Sequence, residues 1–67
     1  MFWRKLFRKF KNKPKYKFGD FVSWNELTLI VNDYVYEDDG SITYILFDWN
    51  TCVFYENIFE NEITKVD

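Results

Sequence analysis

Two β-prone runs on either side of one strong turn signal constrain this chain more than any other feature. Leu27 to Tyr36 reads Leu-Thr-Leu-Ile-Val-Asn-Asp-Tyr-Val-Tyr, and Ile42 to Trp49 reads Ile-Thr-Tyr-Ile-Leu-Phe-Asp-Trp. Between them lies Glu37-Asp38-Asp39-Gly40-Ser41. Asp-Gly readily adopts the positive φ that tight hairpin turns demand, so the two runs are expected to pair as antiparallel strands. In the second run Ile42, Tyr44 and Leu46 alternate with Thr43, Ile45, Phe47 and Trp49, which places apolar side chains on both faces. Asn32-Asp33 inside the first run predicts a bulge or bend.

Shorter signals extend the pattern. Phe18-Gly19-Asp20 predicts a tight turn into a strand Phe21-Val22-Ser23-Trp24. Asn50-Thr51 predicts a second tight turn, followed by a strand from Cys52 to Tyr55. Glu56 to Glu60 reads as a single helical turn, and Glu62 to Val66 as a short closing strand. Five short strands with tight central turns predict a small barrel, because a flat sheet would leave Tyr36, Tyr44 or Trp49 as an exposed apolar patch.

Such a fold must hold itself together by apolar burial. The chain has 67 residues, one cysteine and no histidine. It therefore has no disulfide within itself and no cysteine- or histidine-built metal site. Domains of this size bury only about 60% of their unfolded surface. The sixteen aromatic residues compensate, since each buried ring removes roughly 150–250 Å² from water.

Charge divides the chain in two. Eight of the nine cationic residues lie in the first 17 positions, and the first acid is Asp20. Residues 18–67 carry all eleven acids and a single cation, Lys65. A net charge of −2 thus conceals a basic arm, residues 1–15, and an acidic body, residues 16–67. In the arm Phe2, Leu6 and Phe10 recur every four residues, as do Trp3 and Phe7, with Arg4, Lys5, Arg8 and Lys9 beside them. This spacing predicts a short amphipathic helix over about residues 2–12, stopped by Pro14. A helix this short needs a surface to lie on. A groove in a partner protein, the chain's own acidic body, a membrane interface and nucleic acid each fit part of the pattern. Four aromatics in ten residues exceed what phosphate binding requires and favour a protein interface.

Several segments resemble the Src-homology-3-like (SH3-like) small barrels, including Tudor-like and KOW-like domains. Lys17-Phe18-Gly19-Asp20-Phe21-Val22 is similar to their opening strand, and Tyr44-Ile45-Leu46-Phe47-Asp48 to their central strand. Val53-Phe54-Tyr55-Glu56-Asn57-Ile58 is similar to their fourth strand and the helical turn after it. The resemblance covers about residues 16–66 and implies a mostly β, five-stranded SH3-like barrel behind the N-terminal helix. In such barrels aromatics line a binding groove, which makes Trp24, Tyr34, Tyr36, Trp49 and Tyr55 the candidate surface patch. The resemblance implies a fold and no particular function.

Catalysis finds little support. Cys52 lacks an activating base and reads as a small buried side chain. Asp38 and Asp39 read as turn chemistry, and Glu56, Glu60 and Glu62 as a solvated acidic rim. No phosphate-binding glycine loop or calcium loop occurs, and no cofactor is implied. The expected function is a non-enzymatic interaction or structural module, attached by its basic aromatic helix to a larger protein assembly. A membrane-peripheral protein is the alternative, and a nucleic-acid-binding accessory the second alternative. Abundant Lys, Asn, Ile, Phe and Tyr imply AT-rich codons, and with the small size suggest a phage virion or accessory protein. The scattered N-terminal charges leave no apolar stretch of about 7–15 residues for a signal peptide and none of about 20 for a membrane span. The expected location is therefore cytoplasmic, or virion for a phage protein.

Overall fold

The computed structural model describes residues 13–66. Five strands form one antiparallel sheet: β1 (Phe21–Trp24), β2 (Leu27–Tyr36), β3 (Ile42–Asp48), β4 (Val53–Phe59) and β5 (Thr64–Lys65). A 3-10 turn, Glu60–Glu62, joins β4 to β5. Across the sheet the strands run β4-β3-β2-β1-β5.

Local chemistry accounts for each connection. Gly19 has φ +91, and the Asp20 N–H donates to the Lys17 carbonyl at 3.0 Å, closing the first turn. Asn25 and Glu26 both have positive φ, as a two-residue hairpin between β1 and β2 demands. At the β2–β3 hairpin Gly40 takes φ +91, and its N–H donates to the Glu37 carbonyl at 2.9 Å. The Asp39 carboxylate accepts from both the Ser41 N–H and its hydroxyl. The expected bulge lies at Asn32, where the β2–β3 register shifts between Val31 and Asp33.

Alternation then builds the core on one face. Val22 opposes Leu29, Val31 opposes Leu46, and Tyr44 opposes Ile58. All six are buried, together with Tyr16, Ile42 and Ile63. Removing each such side chain from water is worth roughly 1.5–3 kcal/mol. The sheet curls around this core. Trp24 on β1 and Tyr55 on β4 stand three strands apart, about 14 Å in a flat sheet. Their rings nonetheless sit 5.1 Å apart across the core face.

Four sequence expectations are corrected. The expected SH3-like barrel with a preceding helix is an open five-stranded sheet. Closure needs the edge strands to pair, but among the described residues β4 is bonded only to β3 and the two-residue β5 only to β1. The described residues contain no α-helix, and the helix expected over about residues 2–12 lies outside them. The fourth strand does not stop at Tyr55. Asn57, with φ +60, absorbs an extra residue as a bulge, so the strand continues to Phe59 and buries Ile58 against Tyr44. The helical turn consequently falls at Glu60–Glu62 rather than at Glu56 to Glu60. Finally, Cys52 is exposed, because it takes the left-handed position (φ +58) of the β3–β4 turn and precedes the strand.

Candidate functional site

The second face of the sheet follows from the same alternation. Every residue between two core positions points outward, and here most of them are apolar. Phe21 opposes Ile30, Ile30 opposes Phe47, and Phe47 opposes Phe54, so one row of four apolar residues crosses β1, β2, β3 and β4. A second row, Val35–Thr43–Phe59, crosses the other end of the same face. Ile45 stands between the two rows on β3. The relative exposures are 49% for Phe21, 53% for Phe54, 49% for Phe59, and 44% for both Val35 and Trp49. Among the described residues these rings contact one another. Phe47 and Phe54 lie 4.8 Å apart, and Phe21 meets Trp49 edge-on at 5.7 Å.

An acidic rim borders the Phe59 end. An open groove of about 480 Å³ is lined by Glu37, Asp38, Asp39, Thr43, Asn57 and Phe59. A second groove of about 300 Å³ adjoins it at Ser41 and Phe59 and extends to Glu60 and Asn61. Within the rim Glu37 accepts a hydrogen bond from the Thr43 hydroxyl at 2.7 Å. A surface that joins exposed rings to carboxylates suits a ligand carrying both apolar side chains and cations.

At the end of this groove the N-terminal segment is rooted in the body. The backbone N–H of Lys15 donates to the Glu60 carboxylate at 2.8 Å and to the Tyr44 hydroxyl at 3.0 Å. The Tyr16 N–H also donates to that hydroxyl, at 3.2 Å, and the Tyr16 hydroxyl donates to the Ile63 carbonyl at 3.1 Å. Tyr44 in turn donates to Glu60. Burial, reinforced by this bond to a carboxylate, pushes the Tyr44 hydroxyl up to about 12.

The structure distributes the five expected patch residues over three places. Trp24 and Tyr55 pair at one end of the core face, and the Trp24 indole donates to Glu62 at 3.3 Å. Tyr34 and Tyr36 meet edge-on at 5.7 Å at the other end, with Tyr36 packed against the core. Only Trp49 reaches the outer face, beside Phe21. The arm residues Phe2, Trp3, Arg4, Lys5, Leu6, Phe7, Arg8, Lys9 and Phe10 lie outside the described residues. Sequence reasoning missed Phe21, Phe54 and Phe59. The signal was present in the alternation of β3, where Ile45 and Phe47 face away from Tyr44 and Leu46.

Among the described residues no cluster of histidine, cysteine or acidic side chains could hold a metal ion. No helix among them is long and apolar enough to cross a membrane. Fold and surface together define a small, mostly β protein whose open antiparallel sheet is apolar on both faces. Compared with protein-family models, curated proteins and solved structures, the chain finds no match.

Proposed function

We propose that this chain is a non-enzymatic interaction module that docks a basic, aromatic protein segment on the outer face of its sheet. The observation that carries this reading is the cross-strand row Phe21–Ile30–Phe47–Phe54, exposed at Phe21 and Phe54 and half-buried between them, with Val35 and Phe59 exposed at the other end of the face. A contiguous apolar patch of this kind is uncommon on small monomers and marks interaction surfaces. The acidic rim Glu37–Asp38–Asp39, with Glu60 beside it, selects cations over anions and disfavours a nucleic-acid backbone.

The test is a titration of the full chain with a fluorescent peptide that alternates lysine and phenylalanine, followed by anisotropy. Saturable binding that is lost in Phe54→Asp and Phe59→Asp and weakened by salt supports the reading. Binding weaker than about 1 mM, or binding that ignores both substitutions, overturns it.

A further inference from the structure

We infer that the basic partner segment joins the sheet as an added strand along the edge of β4, hydrogen-bonded to the backbone of Phe54 and Glu56. The inference rests on the reading of the outer face as a docking surface and names how the partner is held there.

The two edges of the sheet are unlike. One is β5, two residues long and ending on Lys65. The other is β4, seven residues long, with neither lysine nor proline in Val53–Phe59. Sheet edges are ordinarily blunted by short strands, lysine or proline, because unpaired N–H and C=O groups invite another strand. Among the described residues β4 pairs with β3 alone.

Hydrogen-bonding direction determines what this edge presents. The Glu37 N–H donates to the Ser41 carbonyl at 2.8 Å, so Ser41 turns its backbone toward β2. The direction alternates from one residue to the next along a strand. Tyr44, Leu46 and Asp48 therefore turn theirs toward β4, where they meet Ile58, Tyr55 and Val53. Phe54 and Glu56, on either side of Tyr55, turn their N–H and C=O groups to the edge. Phe59 obeys the same phase, since its N–H donates to the Glu62 carboxylate at 3.1 Å. Glu62 thus closes the far end of the edge, and the bulge at Asn57 ends regular pairing before it. The open frontage is Phe54 and Glu56.

The side chains along this frontage select the occupant. Phe54 ends the apolar row Phe21–Ile30–Phe47–Phe54, so an apolar residue opposite it continues that row by one strand. Glu56 is exposed two residues further on, and beyond it lies the groove lined by Asn57, Phe59, Glu37, Asp38 and Asp39. A cation opposite Glu56, with another beyond it, meets carboxylates at each step. A second copy of the body fits poorly. Residues 18–67 carry eleven acids and one cation, and pairing β4 with β4 would bring two Glu56 side chains into one short interface. An extended basic segment supplies the missing sign, and its main chain supplies affinity that does not depend on side-chain identity.

The test titrates the full chain with the labelled synthetic peptide Lys-Thr-Lys-Val-Phe-Val-Lys-Thr-Lys, whose symmetry makes strand direction immaterial. Two versions are N-methylated on alternate amides, one at the central phenylalanine and its nearest lysines, the other at the two valines. Only one of these sets can face β4. The expected result is a loss of at least about tenfold in affinity for one version and less than about threefold for the other, with Phe54→Asp abolishing binding of the parent peptide. Equal effects of the two methylation patterns overturn the added strand and leave docking on the outer face intact. No binding of the parent peptide removes both. A chain that is dimeric by light scattering, and that the peptide converts to monomer, gives the edge to a second copy and overturns its assignment to a basic partner.

Discussion

The hydroxyl of Tyr44 donates to the Glu60 carboxylate while accepting from the backbone N–H groups of Lys15 and Tyr16. One oxygen in the core thereby connects β3, the 3-10 turn and the root of the N-terminal segment. Tyr44 is fully buried, so these partners cannot be replaced by water without opening the core.

Tyr44→Phe keeps the ring and removes that hub. Lys15 retains its bond to Glu60, whereas the Tyr16 N–H and one lone pair of the carboxylate lose their partner. The expected loss is about 1–3 kcal/mol in urea denaturation. Tyr16→Phe removes only the bond to the Ile63 carbonyl and should cost about 1 kcal/mol. Equal stability of Tyr44→Phe and the natural protein would show that the hub contributes nothing.

The same group gives the fold an alkaline limit. Its folded pKa stands at about 12, above the ordinary value of 10.0. Between these values the folded protein keeps a proton that the unfolded chain has released. Its contribution is therefore complete below about pH 10 and falls as pH rises toward about 12, by on the order of 2–3 kcal/mol. Urea midpoints measured across this window should drop, and Tyr44→Phe should flatten the drop.

Asn57 holds the β4 bulge at φ +60, a conformation that costs most non-glycine residues roughly 1–2 kcal/mol. Asn57→Val should destabilise by about that amount, because β-branched side chains tolerate the left-handed region worst. Asn57→Gly should be close to neutral. A reversed order would mean that the bulge is not what sets the register of Ile58 against Tyr44.

The two faces should respond differently to truncation. Leu46→Ala opens a cavity among fully buried neighbours and should cost about 2–5 kcal/mol. Phe54→Ala, exposed and in contact with Phe47, should cost about 1 kcal/mol. Denaturation midpoints decide the comparison, and a Phe54 effect as large as that of Leu46 would make the outer face a second core.

Cys52 offers a direct check on the β3–β4 turn. Its thiol is exposed in the folded protein. A thiol reagent should modify it fully under native conditions, with no loss of circular dichroism signal. Modification only in denaturant would place Cys52 inside.

The sequence by itself determined the local structure. Asp39-Gly40 and Phe18-Gly19-Asp20 located two turns through the positive φ of their glycines, and Asn50-Thr51 a third whose positive φ falls on Cys52, whereas the Asn25–Glu26 turn between β1 and β2 was not anticipated. The alternating runs located β1, β2 and β3, and Asn32-Asp33 located the bulge of β2. Tertiary structure decided what alternation leaves open. A strand with two apolar faces does not encode which face turns inward, since a one-residue register slip exchanges them. The packing of Tyr44, Leu46 and Ile58 against Val22, Leu29 and Val31 made that choice and left Phe21, Phe54 and Phe59 outside. It also scattered Trp24, Tyr34, Tyr36, Trp49 and Tyr55, because neighbours on one face depend on pairing partners distant in the chain. The extension of β4 through Asn57 has the same origin. Nothing local distinguishes Glu56-Asn57 as a bulge from a helical turn until Ile58 finds the core.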